Sequence, residues 1–476
     1  MTHMGTVRNK HVLLAALLLS GALALTSCGS PGAPGGASDG GGAASTSAAP
    51  ERTEVGALTP RIVLAHDKGV TILDSADGTV LADEDVTGYA RLGPAGDGRH
   101  VMVAASGGFT ALDTGLIEKA HGDHSHFFTQ EPVLTKATVK GEEPGHVVPH
   151  GERTALFDDG TGQMTVFDPA ALAEGTLGET ARTKTSAPHH GVAVPLSDGS
   201  LLHTEGTEDE RHSVVVQDAS GTEIARTDEC PGVHGEAAAQ PTANGDVVAI
   251  GCTDGPVVHR DGAFCKYAPI PGYERSGNLK GVESSSVVLM DGEPVTDGGD
   301  ARGSTTIGLL DTATDAPVKT VDLGSAYWFR SLDRGPDGEA LVLTEDGELN
   351  IIDPATGQMK HEVKATEPWT EPEDWQEAAP MLAVADGTAF VANPQHKKLA
   401  MIDIASGKTY RTLDLPVIPH EIQVTTGSPS GEMHVGEAGA SDTGGEHEGH
   451  DHEGHDHEGG GHDHEGHDHE GEGHAH

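Results

Sequence analysis

Histidines recur near the C-terminus of this chain in a pattern that suits metal binding. Eleven of them alternate with aspartate, glutamate and glycine, most often as Glu-Gly-His-Asp-His. Neutral imidazole is a good ligand for zinc, nickel and copper, and adjacent carboxylates add negative charge. We therefore predict that this segment binds divalent transition metal, with zinc as the first candidate, at many weak and exchangeable sites. Its histidines are His447, His450, His452, His455, His457, His462, His464, His467, His469, His474 and His476.

Three further histidines are evenly spaced in the middle of the chain. His146, His190 and His234 stand 44 residues apart, and each is followed by a turn and then an apolar, strand-like segment. In a repeating fold, equivalent residues of successive units lie close together. We predict that these three imidazoles converge on one zinc site in a central channel, with His420 joining them from the last strand. The alternative is that they are buried histidines that only hydrogen-bond turns.

Carboxylates and a histidine-rich loop stand near the predicted site in the sequence. Asp123, Glu236 and Glu421 are the candidate carboxylate ligands. The loop His121-Gly-Asp-His-Ser-His126 comes just before the repeat of His146 and is expected to cap the channel. Three histidines with one carboxylate, or with a fourth histidine, suit tetrahedral zinc.

The elements that must position these residues are short strands. From Pro60 onward, apolar segments such as Arg61-Ile-Val-Leu-Ala are separated by turn clusters such as Ser-Ala-Asp-Gly. Repeats of roughly 40–50 residues with about four strands each are typical of propeller blades. We predict an all-β fold, a single eight-bladed β-propeller over residues 60–426, with seven blades as the alternative and the last strand completing the first blade. The inner strands are predicted to start at Tyr89, His146, His190, His234, Lys280, Phe329, Pro380 and His420.

The N-terminus has the features of a secretion signal. Basic residues precede an apolar run, Val12 to Leu25, which is about two-thirds of the length that spans a bilayer. The run ends in Leu-Thr-Ser-Cys28, which resembles a bacterial lipobox. We predict a lipoprotein signal peptide over residues 1–27 and a lipid anchor at Cys28 on the outer face of the cell membrane. A single-pass anchor or cleavage elsewhere is the alternative.

Composition predicts two segments without a packed core. Residues 28–59 are rich in Gly, Ser, Ala and Pro and should form a flexible tether. Residues 427–476 have no apolar periodicity and should be disordered without metal. The formal charge of −46, with no Lys or Arg after Arg411, argues against a nucleic-acid partner, since phosphates would be repelled.

Export to an oxidising compartment favours a disulfide bond. Apart from Cys28 the chain has three cysteines, so two are expected to pair and one to remain. We favour Cys230–Cys252, because each residue ends a strand-like segment of one repeat. Cys252–Cys265 is the alternative.

Several motifs together resemble the AztD-type zinc metallochaperones. They are His-Gly-Asp-His-Ser-His, Pro-Gly-His-Val-Val-Pro-His-Gly, Pro-His-His-Gly-Val-Ala, Cys-Pro-Gly-Val-His-Gly-Glu-Ala and Ile-Pro-His-Glu, spread over about residues 60 to 425. The resemblance implies an eight-bladed propeller that binds zinc outside the cytoplasm and passes it to the solute-binding protein of a zinc ABC importer. It also supports the Cys230–Cys252 disulfide. The implied zinc ligands are among His124, His126, His146, His150, His190, His234 and His420.

This chain departs from the family in the position of its histidine-rich segment, which the family carries toward the N-terminus. The alternative functions are a metal-dependent propeller hydrolase or lactonase, and a passive metal buffer at the cell surface. No Gly-x-Ser-x-Gly elbow, Gly-rich phosphate loop or His-Glu-x-x-His helix occurs in the sequence, so we expect a binding protein and not an enzyme. We also expect a monomer.

Overall fold

The structure is a computed structural model, and it describes residues 51–122, 124–294 and 302–429. The predicted signal peptide, Cys28, most of the tether, Asp123 and the histidines of the C-terminal segment lie outside the described residues. No helix among the described residues is long and apolar enough to cross a bilayer.

Almost all regular structure in the described residues is β-strand, as the alternating apolar segments predict. One 3₁₀ helix, Pro169–Glu174, begins after Asp168, whose carboxylate accepts a hydrogen bond from the Ala170 amide. The strands are β1 (Thr53–Val55), β2 (Arg61–His66), β3 (Gly69–Asp74), β4 (Val80–Asp85), β5 (Arg91–Pro94), β6 (His100–Ala105), β7 (Gly108–Asp113), β8 (Leu116–His121), β9 (His124–Thr129), β10 (Val133–Lys140), β11 (Pro144–His150), β12 (Arg153–Asp158), β13 (Gln163–Phe167), β14 (Thr180–Lys184), β15 (Ala193–Pro195), β16 (Leu201–Gly206), β17 (Arg211–Gln217), β18 (Glu223–Thr227), β19 (His234–Thr242), β20 (Gly245–Gly251), β21 (Val257–Arg260), β22 (Ala263–Lys266), β23 (Tyr273–Arg275), β24 (Leu279–Lys280), β25 (Val287–Met290), β26 (Glu293–Pro294), β27 (Thr306–Asp311), β28 (Lys319–Asp322), β29 (Tyr327–Arg334), β30 (Ala340–Thr344), β31 (Glu348–Ile352), β32 (Met359–Lys364), β33 (Met381–Ala385), β34 (Thr388–Asn393), β35 (Lys398–Asp403), β36 (Lys408–Asp414) and β37 (Glu421–Thr425).

Most of these strands form four-stranded antiparallel sheets, and five of the eight sheets consist of strands that follow one another directly in the chain. Their orders are β37-β2-β3-β4, β10-β7-β6-β5, β11-β12-β13-β14, β15-β16-β17-β18, β19-β20-β21-β22, β24-β25-β27-β28, β29-β30-β31-β32 and β33-β34-β35-β36. Two small sheets, β1-β9-β8 and β23-β26, are added to them. The all-β, propeller-like fold predicted from the repeat is therefore confirmed.

The last described strand belongs to the first sheet, as predicted. Strand β37 pairs antiparallel with β2, with Glu421 opposite Ala65 and Thr425 opposite Arg61. The apolar core lies between neighbouring sheets. One buried cluster, for example, contains Ile62 of β2 together with Phe390 of β34. This packing explains why inner strands such as β2 and β3 are buried on both faces, whereas the outer strand β4 is largely exposed.

The tether predicted over residues 28–59 overlaps the folded part of the chain at its C-terminal end. Thr53–Val55, within the range 28–59, forms β1 and pairs with β9 of the hairpin that β8 and β9 make. A two-stranded hairpin has unpaired backbone groups along its edges, and β1 forms hydrogen bonds with those along the β9 edge.

The disulfide prediction is confirmed, because Cys230 and Cys252 are bonded with their Cα atoms 5.0 Å apart. Cys265, in β22, is a half-buried free thiol, so the alternative pairing with Cys252 is not formed.

Candidate metal centre

His146, His190 and His234 meet at one place, as their spacing predicts. Their ring centroids are 5.2 Å apart for His146 and His190, 4.9 Å for His190 and His234, and 6.2 Å for His146 and His234. His146 lies in β11, His190 precedes β15 and His234 opens β19. Three sheets in succession thus each contribute one imidazole, and we call these three residues the inner cluster.

The rings of the inner cluster are each held through the Nδ1 atom. Nδ1 of His146 lies 3.2 Å from the Glu236 carboxylate, and Nδ1 of His190 donates to Asp159 at 2.5 Å. Nδ1 of His234 donates to the carbonyl oxygen of Gly277 at 2.7 Å. A histidine that binds a metal through one ring nitrogen commonly donates the other N–H to a carboxylate or a carbonyl. In all three residues Nε2 is therefore the nitrogen left for a metal.

The inner cluster lines a cavity of about 660 Å³. Glu236, Arg91 and Glu421 line the same cavity, so two of the predicted carboxylates are present. Only Glu236 contacts a histidine of the cluster, since Glu421 is bound by the guanidinium groups of Arg91 and Arg330, each at 3.2 Å. Glu421 is thus committed to a buried ion-pair network.

Burial and neighbouring charges shift the pKa values of His146 and His234, two members of the inner cluster, in opposite directions. Burial lowers the pKa of His146, but the charge and hydrogen bond of Glu236 outweigh burial, so this pKa is raised. Burial, followed by the charges of Arg275 and of the other two histidines, lowers the pKa of His234 to about 2. His234 stays neutral and free to coordinate, whereas a proton on His146 competes with a metal ion.

A second histidine cluster, the hairpin cluster, lies on β8 and β9 and consists of His121, His124 and His126. One ligand nitrogen from each of these lies within 4.8 Å of the others. His121 Nδ1 is 3.2 Å and His124 Nε2 is 3.3 Å from Nε2 of His126. Zinc–nitrogen bonds of about 2.0–2.1 Å in a tetrahedron place nitrogens about 3.3 Å apart. The described residues contain no other group this tight.

The hairpin register explains the second cluster. His121 and His124 are directly opposite each other, and His126 lies two residues further along β9. Side chains two residues apart on a strand share a face, and opposite residues are neighbours across the pair. Nδ1 of His126 pairs with the carboxylate of Glu54 at 2.8 Å, from the paired strand β1.

The hairpin cluster is separate from the inner cluster, which corrects the expectation that this loop caps the site of His146. The hairpin begins after Thr114, whose hydroxyl accepts a hydrogen bond from Thr425 at the end of β37. Glu421, at the start of β37, lines the cavity instead. Four residues of β37 separate Thr425 from Glu421, which is roughly 13 Å along the strand. His124 and His126 therefore do not join His146 in one site.

His150 is also remote from the inner cluster, and its grouping with His146 is wrong. It lies at the other end of β11, four residues or roughly 13 Å along the strand. Its Nε2 is 3.4 Å from Asp246 and its Nδ1 is 3.2 Å from Glu283. The ring thus lies between two carboxylates from other parts of the chain.

His420 is likewise not a member of the inner cluster. Its buried ring is stacked on Tyr89, with centroids 4.3 Å apart, and its Nε2 donates to the carbonyl oxygen of Ala90 at 3.0 Å. The adjacent residue, Glu421, lines the cavity. Of these two neighbours, only Glu421 lines the cavity.

Sequence reasoning missed three contributors. His121 opens the histidine-rich loop, and the two-residue connection that sets it opposite His124 is the signal that makes it a ligand candidate. Asp159 and the carbonyl group of Gly277 hold His190 and His234, and each comes from a loop with no motif of its own. Nothing in the sequence pairs them with their histidines.

Fold and clusters together define an all-β, propeller-like protein with histidine sites of metal-binding geometry. Two solved structures of AztD from Citrobacter koseri, one of them the apo form, share the fold with TM-scores of 0.66 and 0.65. Each is 23% identical and covers 77% of this chain and 98% of AztD.

The sequence comparison finds the same relative. The chain is 28% identical to the zinc chaperone AztD of Citrobacter koseri over 391 residues, which cover 78% of this chain and 88% of that protein. No family model matches the chain. The resemblance to AztD-type proteins indicated by the motifs is thus confirmed.

Proposed function

We propose that this protein is an extracytoplasmic zinc chaperone that captures Zn²⁺ and delivers it to the solute-binding protein of a zinc ABC importer. The observation that carries the proposal is the presence of two three-histidine clusters in a chain similar to a zinc chaperone. The anchor at Cys28, on the outer face of the membrane, and the monomeric state belong to the same proposal.

We also propose that the four-stranded sheets form one ring of eight blades. In support, eight such sheets occur in the described residues, and the closing strand β37 lies in the first of them. The first strand of one sheet contacts that of a neighbour at several points: β5 contacts β11 and β37, and β29 contacts β24 and β33. A ring of blades leaves only short edges exposed.

Zinc is the cargo of the proposed chaperone, and the chemistry needed is binding followed by release. Three neutral imidazoles bind zinc while leaving a coordination position open. An incoming ligand from an acceptor protein can occupy that position before an imidazole leaves. The carboxylates Glu236 and Asp159 hold their histidines in place while the metal is absent, so capture does not require the rings to be ordered first.

Direct transfer to the acceptor is the decisive test. Zinc-loaded protein is mixed with the apo solute-binding protein in the presence of a chelator strong enough to remove free zinc, and acceptor-bound zinc is measured. We expect transfer by the wild type and its loss in the variant H146N/H190N/H234N. The control H212N alters an exposed histidine of β17 and should transfer normally.

Transfer that stops whenever the chelator is present would contradict the proposal, because zinc would then be moving through solution. Such a result would favour a passive metal buffer.

A further inference from the structure

The carbonyl group of Gly277, which holds Nδ1 of His234, belongs to a short loop that one buried carboxylate keeps in place. Oδ1 of Asp291 accepts hydrogen bonds from the backbone amides of Gly277, at 2.8 Å, and of Asn278, at 2.9 Å. Oδ2 of Asp291 accepts a third hydrogen bond from the side-chain amide of Asn278 at 2.8 Å. The backbone amide of Asp291 donates in return to the carbonyl oxygen of Asn278 at 3.0 Å. The position of Gly277 is therefore determined by its contacts with Asp291.

This loop lies directly against the two strands that surround His234. A Cβ atom placed on Gly235 would clash with the carbonyl oxygen of Gly277, and one placed on Gly251 would clash with the carbonyl oxygen of Ser276. Gly235 follows His234 in the chain, and Gly251 is the cross-strand partner of His234. Glycine permits such a close approach because it has no Cβ atom. A shift of the loop would consequently change the hydrogen bond to the His234 ring.

Asp291 is buried and lines the same cavity as the inner cluster. Burial raises the pKa of its carboxyl to about 6, although the hydrogen bonds from Asn278 act in the opposite direction. Since the unfolded value is about 3.9, the folded state gains stability as the pH falls through about 6, and the ionised carboxyl lowers stability at neutral pH. The stability of the fold therefore does not account for this carboxylate. Carboxyl groups shifted in this way, beside a cavity, are common at functional sites.

We infer that Asp291 is a positioning residue for zinc binding at the inner cluster: it holds the carbonyl oxygen of Gly277 where that oxygen accepts the Nδ1 proton of His234, so that Nε2 is presented to zinc. The inference rests on the proposed function. Asp291 acts through the loop and not by contact with the metal. It follows β25, so a fourth sheet supports the inner cluster beside the three that supply its histidines. Groups that orient a metal-binding histidine in this way affect metal affinity nearly as strongly as the ligands do.

The zinc affinity of the inner cluster is measured in the full chain by titration against a competing chelator. The background carries H124N/H126N and has asparagine in place of every histidine after Pro429, which isolates the inner cluster. D291N keeps the size of the side chain, but its amide group cannot accept the hydrogen bond from the side chain of Asn278. N278A removes the same hydrogen bond and leaves Asp291 unchanged, so the inference stays testable if D291N folds poorly.

Asp97 provides a matched control. In the turn between β5 and β6 it accepts hydrogen bonds from the amides of Arg99, at 3.0 Å, and of His100, at 2.8 Å, and its carboxylate also pairs with Nδ1 of His100 at 2.5 Å. Asp97 thus binds two successive amides and a side chain, as Asp291 does, but it is not among the residues that line the cavity. Burial raises the pKa of Asp97, but the hydrogen bond and charge of His100 outweigh burial and lower it. D97N should therefore reduce stability at neutral pH and leave the zinc affinity of the inner cluster unchanged.

We expect D291N to weaken zinc binding by about tenfold, and N278A to weaken it by less, because N278A leaves both amide hydrogen bonds in place. NMR of the zinc-free protein reports the hydrogen bond itself. The Nδ1 proton of His234, identified by its absence in H234N, should exchange with water faster in D291N than in the parent protein. D97N should leave this exchange unchanged.

Unchanged affinity in both D291N and N278A would overturn the inference. So would an equal loss of affinity in D97N, or weaker binding in D291N with unchanged exchange of the His234 proton. The transfer assay with the wild type uses none of these variants, so failure of the proposed function is recognised separately.

Discussion

The carboxylate of Glu236 lies 3.2 Å from Nδ1 of His146, although ninety residues separate them in the chain. Glu236 is on β19, two residues after His234, so one strand supplies both a candidate ligand and the support for another. The contact joins the sheets of β11 and β19 at the inner cluster.

Replacing Glu236 by glutamine should weaken zinc binding at the inner cluster by about 10–100-fold, which is the usual effect of losing such a supporting carboxylate. The glutamine keeps the size of the side chain but loses its charge. The measurement is a zinc titration against a competing chelator in a background that carries H124N/H126N and has asparagine in place of every histidine after Pro429, which isolates the inner cluster. E223Q, on the outer strand β18, is the control. Unchanged affinity in E236Q would show that Glu236 does not support a ligand.

The Cys230–Cys252 disulfide should stabilise both the fold and the inner cluster. It closes a loop of 22 residues, for which its removal costs about 3 kcal/mol. Cys252 follows Gly251, the cross-strand partner of His234. We therefore expect C230A/C252A to lower the free energy of unfolding in urea and also to weaken zinc binding. C265S, which removes the free thiol, should change neither quantity.

Replacing His420 by alanine should reduce stability and leave zinc binding intact. The change removes a buried ring stacked on Tyr89 and leaves the carbonyl oxygen of Ala90 without its donor, at a cost of about 2 kcal/mol. Urea unfolding and equilibrium dialysis with zinc measure the two effects. A loss of bound zinc under conditions in which the variant is fully folded would return His420 to the set of candidate ligands.

Glu421 predicts a pH dependence of stability. Burial raises the pKa of its carboxyl, but the charges of Arg91 and Arg330 outweigh burial and hold this pKa below its usual value. A lowered folded-state pKa contributes stability that is complete above the unfolded value of about 4.3 and is lost as the pH falls through the folded value.

The variant E421Q should accordingly be less stable than the wild type by roughly 3 kcal/mol at pH 7, because it leaves the buried guanidinium group of Arg330 without its charged partner and also removes the pair with the more exposed Arg91. This difference in the free energy of unfolding should hold down to about pH 4.3 and narrow below it. Urea unfolding between pH 7 and pH 3 measures the difference. A difference that is constant across this range would mean that Glu421 has no lowered pKa.

The repeat made much of the fold and the inner cluster predictable. Residues 44 positions apart occupy equivalent places in successive sheets, so the meeting of His146, His190 and His234 follows from spacing alone. Orientation within a strand was harder to predict. His420 and Glu421 both stand where a strand begins, but only Glu421 lines the cavity, because the ring of His420 is stacked on Tyr89 instead.

Other features of the candidate site depend on how far along a strand a residue stands and on contacts between distant loops. His150 shares β11 with His146, but a strand rises about 3.3 Å per residue, so four residues are enough to remove it from the site. The partners of His190 and His234 are set by how loops of neighbouring sheets meet. A sequence pattern carries no signal for such contacts.

The pairing of β2 with β37 determines when the fold can be completed. Ile62 and Leu64 lie in the second described strand, and their cross-strand partners Val424 and Ile422 lie in the last one. A contact between such distant residues must form late, because closing so long a loop is entropically costly. During synthesis, the edge of β2 stays unpaired until the end of the propeller has been made. Proteolysis just before Glu421 would reopen this edge and would therefore unravel the first sheet, far from the cut in sequence.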